Sequence, residues 1–349
     1  MSTKESKPNL SHSQVTEIIK RLYCWTVSVT RPLPSYDDQN FYVAPSEGGE
    51  YVLKVMNSAD SHNITVIELQ THAMNFLHQR GLPAQTALPT LTGKLMSLEE
   101  FDYGFEIFRA FTYLPSYLLL TCGTQILYDV GKMAATLDTA LLQMEHPNIS
   151  ILQREDFIWN LASVPLLNQY IHVMDGDPVQ KVVKAVLEQY QIQVVPKLPL
   201  FRKCINQGDF NDHNLLVNPD GPTKYKICGI LDFGDMSCGY FIFELAITIM
   251  YMMIENPNPV DVGGPVVAGW ESVFPLNEAE RDSLYLLVLC RFCQSLVLAR
   301  HAVIQQPENE EYLMITARTG VRHLCRLWEL GKEELERIWF QSAAQFGQP

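Results

Sequence analysis

The sequence predicts an α+β chain in two parts, a small antiparallel-sheet half with one helix and then a larger, mainly helical half. Three observations predict it. Before residue 112, short β-prone runs (TVSVT, NFYVA, YVLKV) alternate with turn residues. After residue 120, apolar residues recur at helical spacing. One hairpin-like pair of apolar runs, NLLV and YKICGIL, interrupts the helical half around a turn at 218–221.

Residues 1–13 read as a flexible tail. Residues 14–112 form the first half, opening with a short amphipathic helix from Val15 to Tyr23. After YVLKV, the stretch VIELQTHAMNFLHQRG carries Leu69, Ala73, Phe76 and Leu77 as an apolar stripe, with Gly81 as its stop. KLMSLE and FEIFRAFTYL are further strand candidates, and Leu114-Pro115-Ser116 breaks the chain. Residues 113–349 form the second half. Leu127, Val130, Ala134, Leu137 and Leu141 mark its first helix, VVKAVLEQYQIQVV a second, and long helices run from Phe241 onward.

A chain of 349 residues, 47% hydrophobic, buries a sizeable core. A formal net charge of -13 repels phosphate backbones and anionic membranes, so neither nucleic acid nor a membrane is an expected partner. The run FIFELAITIMYMMI at 241–254 falls short of the ~20 residues a bilayer needs and carries Glu244, which reads as a buried helix. The N-terminus lacks a hydrophobic leader segment. The Cys290/Cys293 pair has no second pair or nearby His, which reads as core thiols in a reducing, cytoplasmic compartment.

The chemistry concentrates in GDFNDHN at 208–214. Asp209 precedes Asn214 by five residues, and LDFG follows the hairpin at 231–234. Upstream, Lys54 lies on a strand and Glu68 on the next helix. Phosphoryl transfer from a nucleotide needs such a set, because charge develops on phosphate oxygens and calls for cations and positioning. A strand Lys bridges phosphates, and a helix Glu holds that Lys. A loop Asp accepts the proton of the attacking hydroxyl. Asn214 and Asp232 supply the hard oxygens that Mg²⁺ prefers. Each part alone is ordinary: a lone DFG is usually a turn, and a lone VLK an exposed strand Lys. Their order and spacing carry the reading. No GxGxxG precedes Lys54; the turn at 34–40 holds Ser35, Tyr36 and Asn40 as candidates for phosphate contact.

The block QGDFNDHNLLV…GILDFGD resembles the aminoglycoside phosphotransferase-like kinases. VTRPLPSYDDQNF, YVLK, DFIWNL, GYFIFELAITIMYMMIE and RFCQSLV extend the resemblance from about residue 15 to 341. It implies a two-lobed protein-kinase-like fold, with a nucleotide-binding N-lobe and a catalytic, acceptor-binding C-lobe. It implies Asp209 as the catalytic residue, Asn214 and Asp232 as Mg²⁺ ligands, and Gly234 and Asp235 in the metal loop. Lys54 and Glu68 match the lobe-bridging pair, Ser35 to Asn40 the phosphate loop, residues 110–115 the hinge, and Glu244 a structural brace. Implied too are GTP as donor, with ATP possible, and 5-hydroxylysine as acceptor, giving 5-phosphohydroxylysine in hydroxylysine catabolism. Choline, ethanolamine or homoserine are the alternative acceptors, and a nucleotide-binding pseudokinase is the alternative without turnover. One departure stands out: Gln207 replaces the family's His. Gln donates and accepts, with a different reach and no charge.

An amino-acid acceptor wants acids for its amines and a cation for its carboxylate. Asp212, Tyr251, Glu255, Glu271 and Arg291 are the candidates, and Arg291 interrupts an apolar helix. Trp159 and Trp270 read first as core aromatics.

Overall fold

The computed structural model describes residues 7–101, 104–113, 117–118, 123–221 and 224–346. The chain divides into two compact units, Met1–Pro115 with His146–Ile149, and Ser116–Glu145 with Ser150–Pro349. The segment 114–116, and with it the end of the hinge at 110–115, lies outside the described residues.

The first unit begins with helix α1 (His12–Tyr23), started by a reciprocal Ser11–Gln14 capping box. Strands β1 (Val27–Leu33), β2 (Gln39–Pro45) and β3 (Tyr51–Val55) follow, then helices α2 (Ser58–Ser61) and α3 (Ile64–Gln79), then strands β4 (Ser97–Phe101) and β5 (Gly104–Thr112). The sheet is antiparallel in the order β1-β2-β3-β5-β4. Alternation in β2 and β3 turns Phe41, Val43, Leu53 and Val55 onto one face, where Ile19, Leu22 and Tyr23 of α1 cover them. Residues 7–11, read from the sequence as loose, are tied to this sheet: Leu10 is buried and exchanges two hydrogen bonds with the Gln39 side chain. The register sets Asn40 opposite Lys54 and Lys54 opposite Arg109.

The second unit holds strand β6 (Tyr117–Leu118), helix α4 (Thr124–Leu141), a run of short 3₁₀ turns, and α5 (Gln180–Gln189). Four short strands follow: β7 (Lys203–Asn206), β8 (Leu215–Pro219), β9 (Tyr225–Ile230) and β10 (Ser237–Tyr240). Helices α6 (Phe241–Ile254), α7 (Gly263–Glu271), α8 (Glu278–Gln305), α9 (Glu310–Leu313) and α10 (Ile315–Phe346) complete it, with α10 broken at Gly331. The hairpin β8–β9 matches the sequence reading; the pair β7–β10 does not appear in it.

Two packing features fix the core. Helices α4 and α7 cross backbone to backbone, because a Cβ on Gly131 would sit 2.0 Å from Val266 O and one on Gly269 1.9 Å from Tyr128 O. Helix α6 is buried along its whole length, Glu244 included. By length and apolarity α8 is long enough to cross a membrane, yet 72% of its most apolar window is buried inside the protein. Cys290 and Cys293 lie in it as buried free thiols.

Candidate active site

The two small sheets of the second unit build the site. Asn206, the last residue of β7, pairs with Ser237, the first of β10. Leu215, the first of β8, pairs with Ile230, the last of β9. The loops 207–214 and 231–236 therefore connect the same two strand pairs and run side by side.

Gly208 sits at the crossing of those loops. Its φ is +87°, and a Cβ there would lie 2.6 Å from Asp235 O, so both conformation and space require glycine. Its N–H donates to both oxygens of the Glu244 carboxylate, at 3.3 and 3.1 Å. Gln207 links the loops through its amide: Oε1 accepts from Asp209 N at 2.9 Å, while Nε2 donates to Leu231 O at 3.3 Å and to Asp232 O. Gln207 thus fills the bracing place in which the family resemblance expects a His.

Asp209 is held from two sides. Asn214 Nδ2 donates to Asp209 Oδ2 at 2.8 Å and to its main-chain oxygen at 3.0 Å. Arg291 Nη2, from α8, lies 3.5 Å from Asp209 Oδ1 and donates to Gly208 O at 3.2 Å. The Asn211 side chain caps the turn between them, accepting from His213 N and Asn214 N. Burial raises the Asp209 carboxyl above its ordinary value, the nearby Arg291 opposes that rise, and Asp232 adds to it.

Asp232 is exposed and adopts a left-handed conformation, φ +46°, with Oδ1 accepting from Gly234 N at 3.1 Å. Asp235 is pushed up to about 8, first by burial and then by Asp209. Carboxylates that raise one another in this way suit a cation. Asn214 spends its Nδ2 on Asp209, which leaves its amide oxygen as a hard donor; Asp232 supplies carboxylate oxygen. Among the described residues no group of three or more His, Cys, Asp and Glu could hold a metal ion. A two-donor site fits Mg²⁺, which keeps waters and takes substrate phosphate oxygens for its remaining positions.

Beneath the loops lies a second tier. Asp138 of α4 is fully buried; its Oδ2 accepts from Asn206 Nδ2 at 2.9 Å. Burial and neighbouring Glu244 push its carboxyl well up, and Glu244 is itself raised to about 7, first by burial. Arg154 Nη1 donates to Gly234 O at 3.0 Å, and Asn160 Nδ2 to Cys238 O at 2.9 Å. Gln294 of α8 holds Ile158 O and Asn160 O, both at 2.9 Å. Sequence reasoning missed Asp138, Arg154, Asn160 and Gln294; each is a polar residue inside an apolar or turn-rich run, the one signal that marks them.

The acceptor candidates separate. Arg291 is fully buried, donates to Trp159 O at 2.8 Å, and lies 5.0 and 5.2 Å from the Trp159 and Tyr251 ring centres. It anchors the loop 207–214 through Gly208 O and Asp209. Asp212 is buried; burial raises its carboxyl, and Glu255 is close enough to raise it further. Glu255 is exposed at the end of α6, and Tyr251 is buried one turn earlier. Glu271 pairs with Arg281 at 2.6 Å, and Trp270 is fully buried core.

In the first unit, Ser35 and Tyr36 lie in the half-buried β1–β2 loop and Asn40 in β2. Lys54 Nζ lies 3.1 Å from Asp38 Oδ2. The expected partner, Glu68, is exposed on α3, and among the described residues no ion pair joins it to Lys54. The stripe of α3 that faces the core is Leu69, Ala73 and Leu77, which turns Glu68 to the other side.

A glycine-pivoted aspartate, an asparagine five residues on and a metal-competent aspartate across the loop define a kinase-like phosphotransferase. Residues 29–276 match the phosphotransferase enzyme family, and the chain belongs to that family. Its relatives include a hydroxylysine kinase of Danio rerio, 80% identical over 100% of both chains. Another is a hydroxylysine kinase of Bos taurus, 44% identical over 98% of this chain and 95% of that one. Among solved structures, an amicoumacin kinase in complex with AMP-PNP and Ca²⁺ superposes with a TM-score of 0.67 at 14% identity, covering 89% of this chain and 95% of that one. A microcompartment-associated aminopropanol kinase gives 0.65 at 16% identity, covering 91% and 98%. These low identities show the fold alone.

Proposed function

We propose that this chain is a hydroxylysine kinase, transferring the γ-phosphate of GTP to the side-chain hydroxyl of 5-hydroxy-L-lysine to give 5-phosphohydroxylysine. The observation that carries the reading is the Asp209 carboxylate, fixed by Asn214 and Arg291 and raised by burial, at the centre of a loop whose relatives are hydroxylysine kinases. Asp209 accepts the hydroxyl proton as the phosphoryl group leaves the nucleotide. Lys54 neutralises phosphate charge. Asn214 and Asp232 would hold Mg²⁺, which supplies charge neutralisation for the leaving phosphate when bound. Asp212, whose carboxyl is raised by burial and by the charge of Glu255, suits with Glu255 the ammonium groups of the acceptor, with Tyr251 beside Arg291 forming the wall. GTP as preferred donor, with ATP second, follows the resemblance. The proposed compartment is the cytoplasm, where thiols such as Cys204, Cys290 and Cys293 stay reduced.

The test is an acceptor panel. Purified protein with Mg·GTP is offered 5-hydroxylysine, homoserine, choline and ethanolamine, and products are identified by mass spectrometry. Phosphorylation of 5-hydroxylysine well ahead of the others supports the proposal; preference for another amino alcohol rejects its acceptor.

A further inference from the structure

We propose that Asp38, in the loop between β1 and β2, is the positioning carboxylate for Lys54, a part that the spacing of the sequence had given to Glu68. The inference rests on the phosphotransferase reading and goes beyond it.

Four contacts carry it. Asp38 Oδ2 meets Lys54 Nζ at 3.1 Å, with both side chains largely withdrawn from water, at 15% and 13% exposure. The other oxygen, Oδ1, accepts from Asn57 N at 2.9 Å and Asn57 Nδ2 at 3.2 Å. Asn57 is itself buried and fixed, since its Oδ1 accepts from Asp60 N at 2.8 Å and its Nδ2 donates to Asp60 Oδ2 at 2.7 Å. Ser35 Oγ donates to Asp38 O at 2.5 Å, closing the loop on itself. The register explains the meeting: Asn40 faces Lys54 across β2 and β3, and Asp38 lies two residues before Asn40.

The loop is pinned from its outer side as well. Lys7 Nζ donates to Ser35 O at 3.3 Å and Tyr36 O at 2.9 Å. Leu10 and Gln39 exchange two backbone-to-side-chain bonds. A carboxylate anchored on both sides does not swing away when phosphate arrives. It fixes the Lys54 ammonium by one ion pair, and so sets the direction in which that charge faces the phosphates. Placing this partner in the phosphate loop couples loop order to Lys54 position without any movement of α3.

The experiment measures Mg·GTP affinity without acceptor, and steady-state transfer, for wild type, Asp38→Asn, Glu68→Gln, Lys54→Met and the Asp38→Asn/Lys54→Met double variant. Asparagine keeps an acceptor for the Asn57 N–H and removes only the charge; Asp38→Ser is the second variant should the amide disturb the loop. The expected result is an approximately 100-fold loss in kcat/KM for nucleotide in Asp38→Asn, the scale of a misplaced reacting group, with weaker nucleotide binding. The loss in Glu68→Gln is expected to be at least about tenfold smaller. Adding Asp38→Asn to Lys54→Met costs nothing further if the aspartate acts through the lysine. The inference is overturned if Asp38→Asn matches wild type, binds nucleotide more tightly, or loses as much with Lys54 absent as with it present. A wild type that binds Mg·GTP but phosphorylates no amino alcohol rejects the acceptor alone, and affinity still decides the part of Asp38. A wild type that binds neither GTP nor ATP overturns both.

Discussion

Asn214 Nδ2 donates to Asp209 Oδ2 at 2.8 Å and to Asp209 O at 3.0 Å, so the last residue of the loop 207–214 holds the aspartate near its start. The five-residue spacing has this mechanical reason: one amide orients the aspartate with its nitrogen and keeps its oxygen for a cation. On the proposed reading, replacing Asp209 by Asn removes the proton acceptor; it also turns an amide nitrogen toward one of the two donors, Asn214 Nδ2 or Arg291 Nη2, that the carboxylate now accepts. Transfer is expected to fall by about 10³-fold, within the usual range for a general base. Nucleotide affinity, measured by titration, is expected to stay within about threefold of wild type, because no donor–phosphate contact is removed.

Asp232→Asn acts on the other side of the site. It removes a hard, charged oxygen donor while keeping an acceptor for Gly234 N. The expected outcome is a rise of about tenfold or more in the Mg²⁺ concentration needed for half-maximal nucleotide binding, the scale seen when metal-site groups are lost. Unchanged Mg²⁺ dependence contradicts the ligand assignment.

Arg291 joins Trp159 O, Gly208 O and Asp209 from a fully buried position. Arg291→Met takes this donor from Trp159 O and Gly208 O and the cation from Asp209, and is expected to destabilise by about 3 kcal/mol in urea unfolding, the low end for a buried pair because Asp209 keeps some exposure and its bond from Asn214. Arg291→Lys keeps the charge without the fork and is expected to fold with a lower kcat. A large rise in KM for 5-hydroxylysine with kcat unchanged would instead make Arg291 the carboxylate anchor of the acceptor.

How much of this was readable beforehand depended on range. The Asp209–Asn214 spacing and the β8–β9 hairpin are local, and so is the helical stripe of α3. The strands β7 and β10, of four residues each, are too short to show a period. The Arg291–Asp209 contact spans 82 residues and the Asp138–Asn206 bond 68, and no spacing rule reaches that far. Glu68 illustrates the opposite failure: it stands on the expected helix, but the buried stripe of α3 turns it outward while Asp38 meets Lys54.

Gln207 ties the Asp209 loop to the Asp232 loop by two hydrogen bonds and holds Asp209 N by a third within its own loop. Gln207→Ala is expected to lower kcat and cost about 1–3 kcal/mol through unsatisfied partners. Gln207→His is expected to stay within about tenfold of wild type in turnover, since imidazole also donates and accepts. A gain of several orders of magnitude would show that Gln is an inadequate brace.

Glu244 and Asp138 give the protein a pH dependence. Unfolded, the Glu244 carboxyl releases its proton near 4.5; folded, burial holds it to about 7. Stability from this group is full below the unfolded value and is lost as pH rises through the folded one. Wild type is therefore expected to lose unfolding free energy between about pH 5 and about pH 8. Asp138→Asn, whose amide donates to Glu244 without a titrating proton, is expected to lose less over the same interval in urea titrations.

The most direct measurement is phosphate transfer from Mg·GTP and from Mg·ATP to 5-hydroxylysine, by wild type and Asp209→Asn in parallel. The account predicts wild-type turnover, faster with GTP, and turnover about 10³-fold lower in the variant. Equal turnover by the two proteins, or no turnover by wild type with either nucleotide, would contradict it.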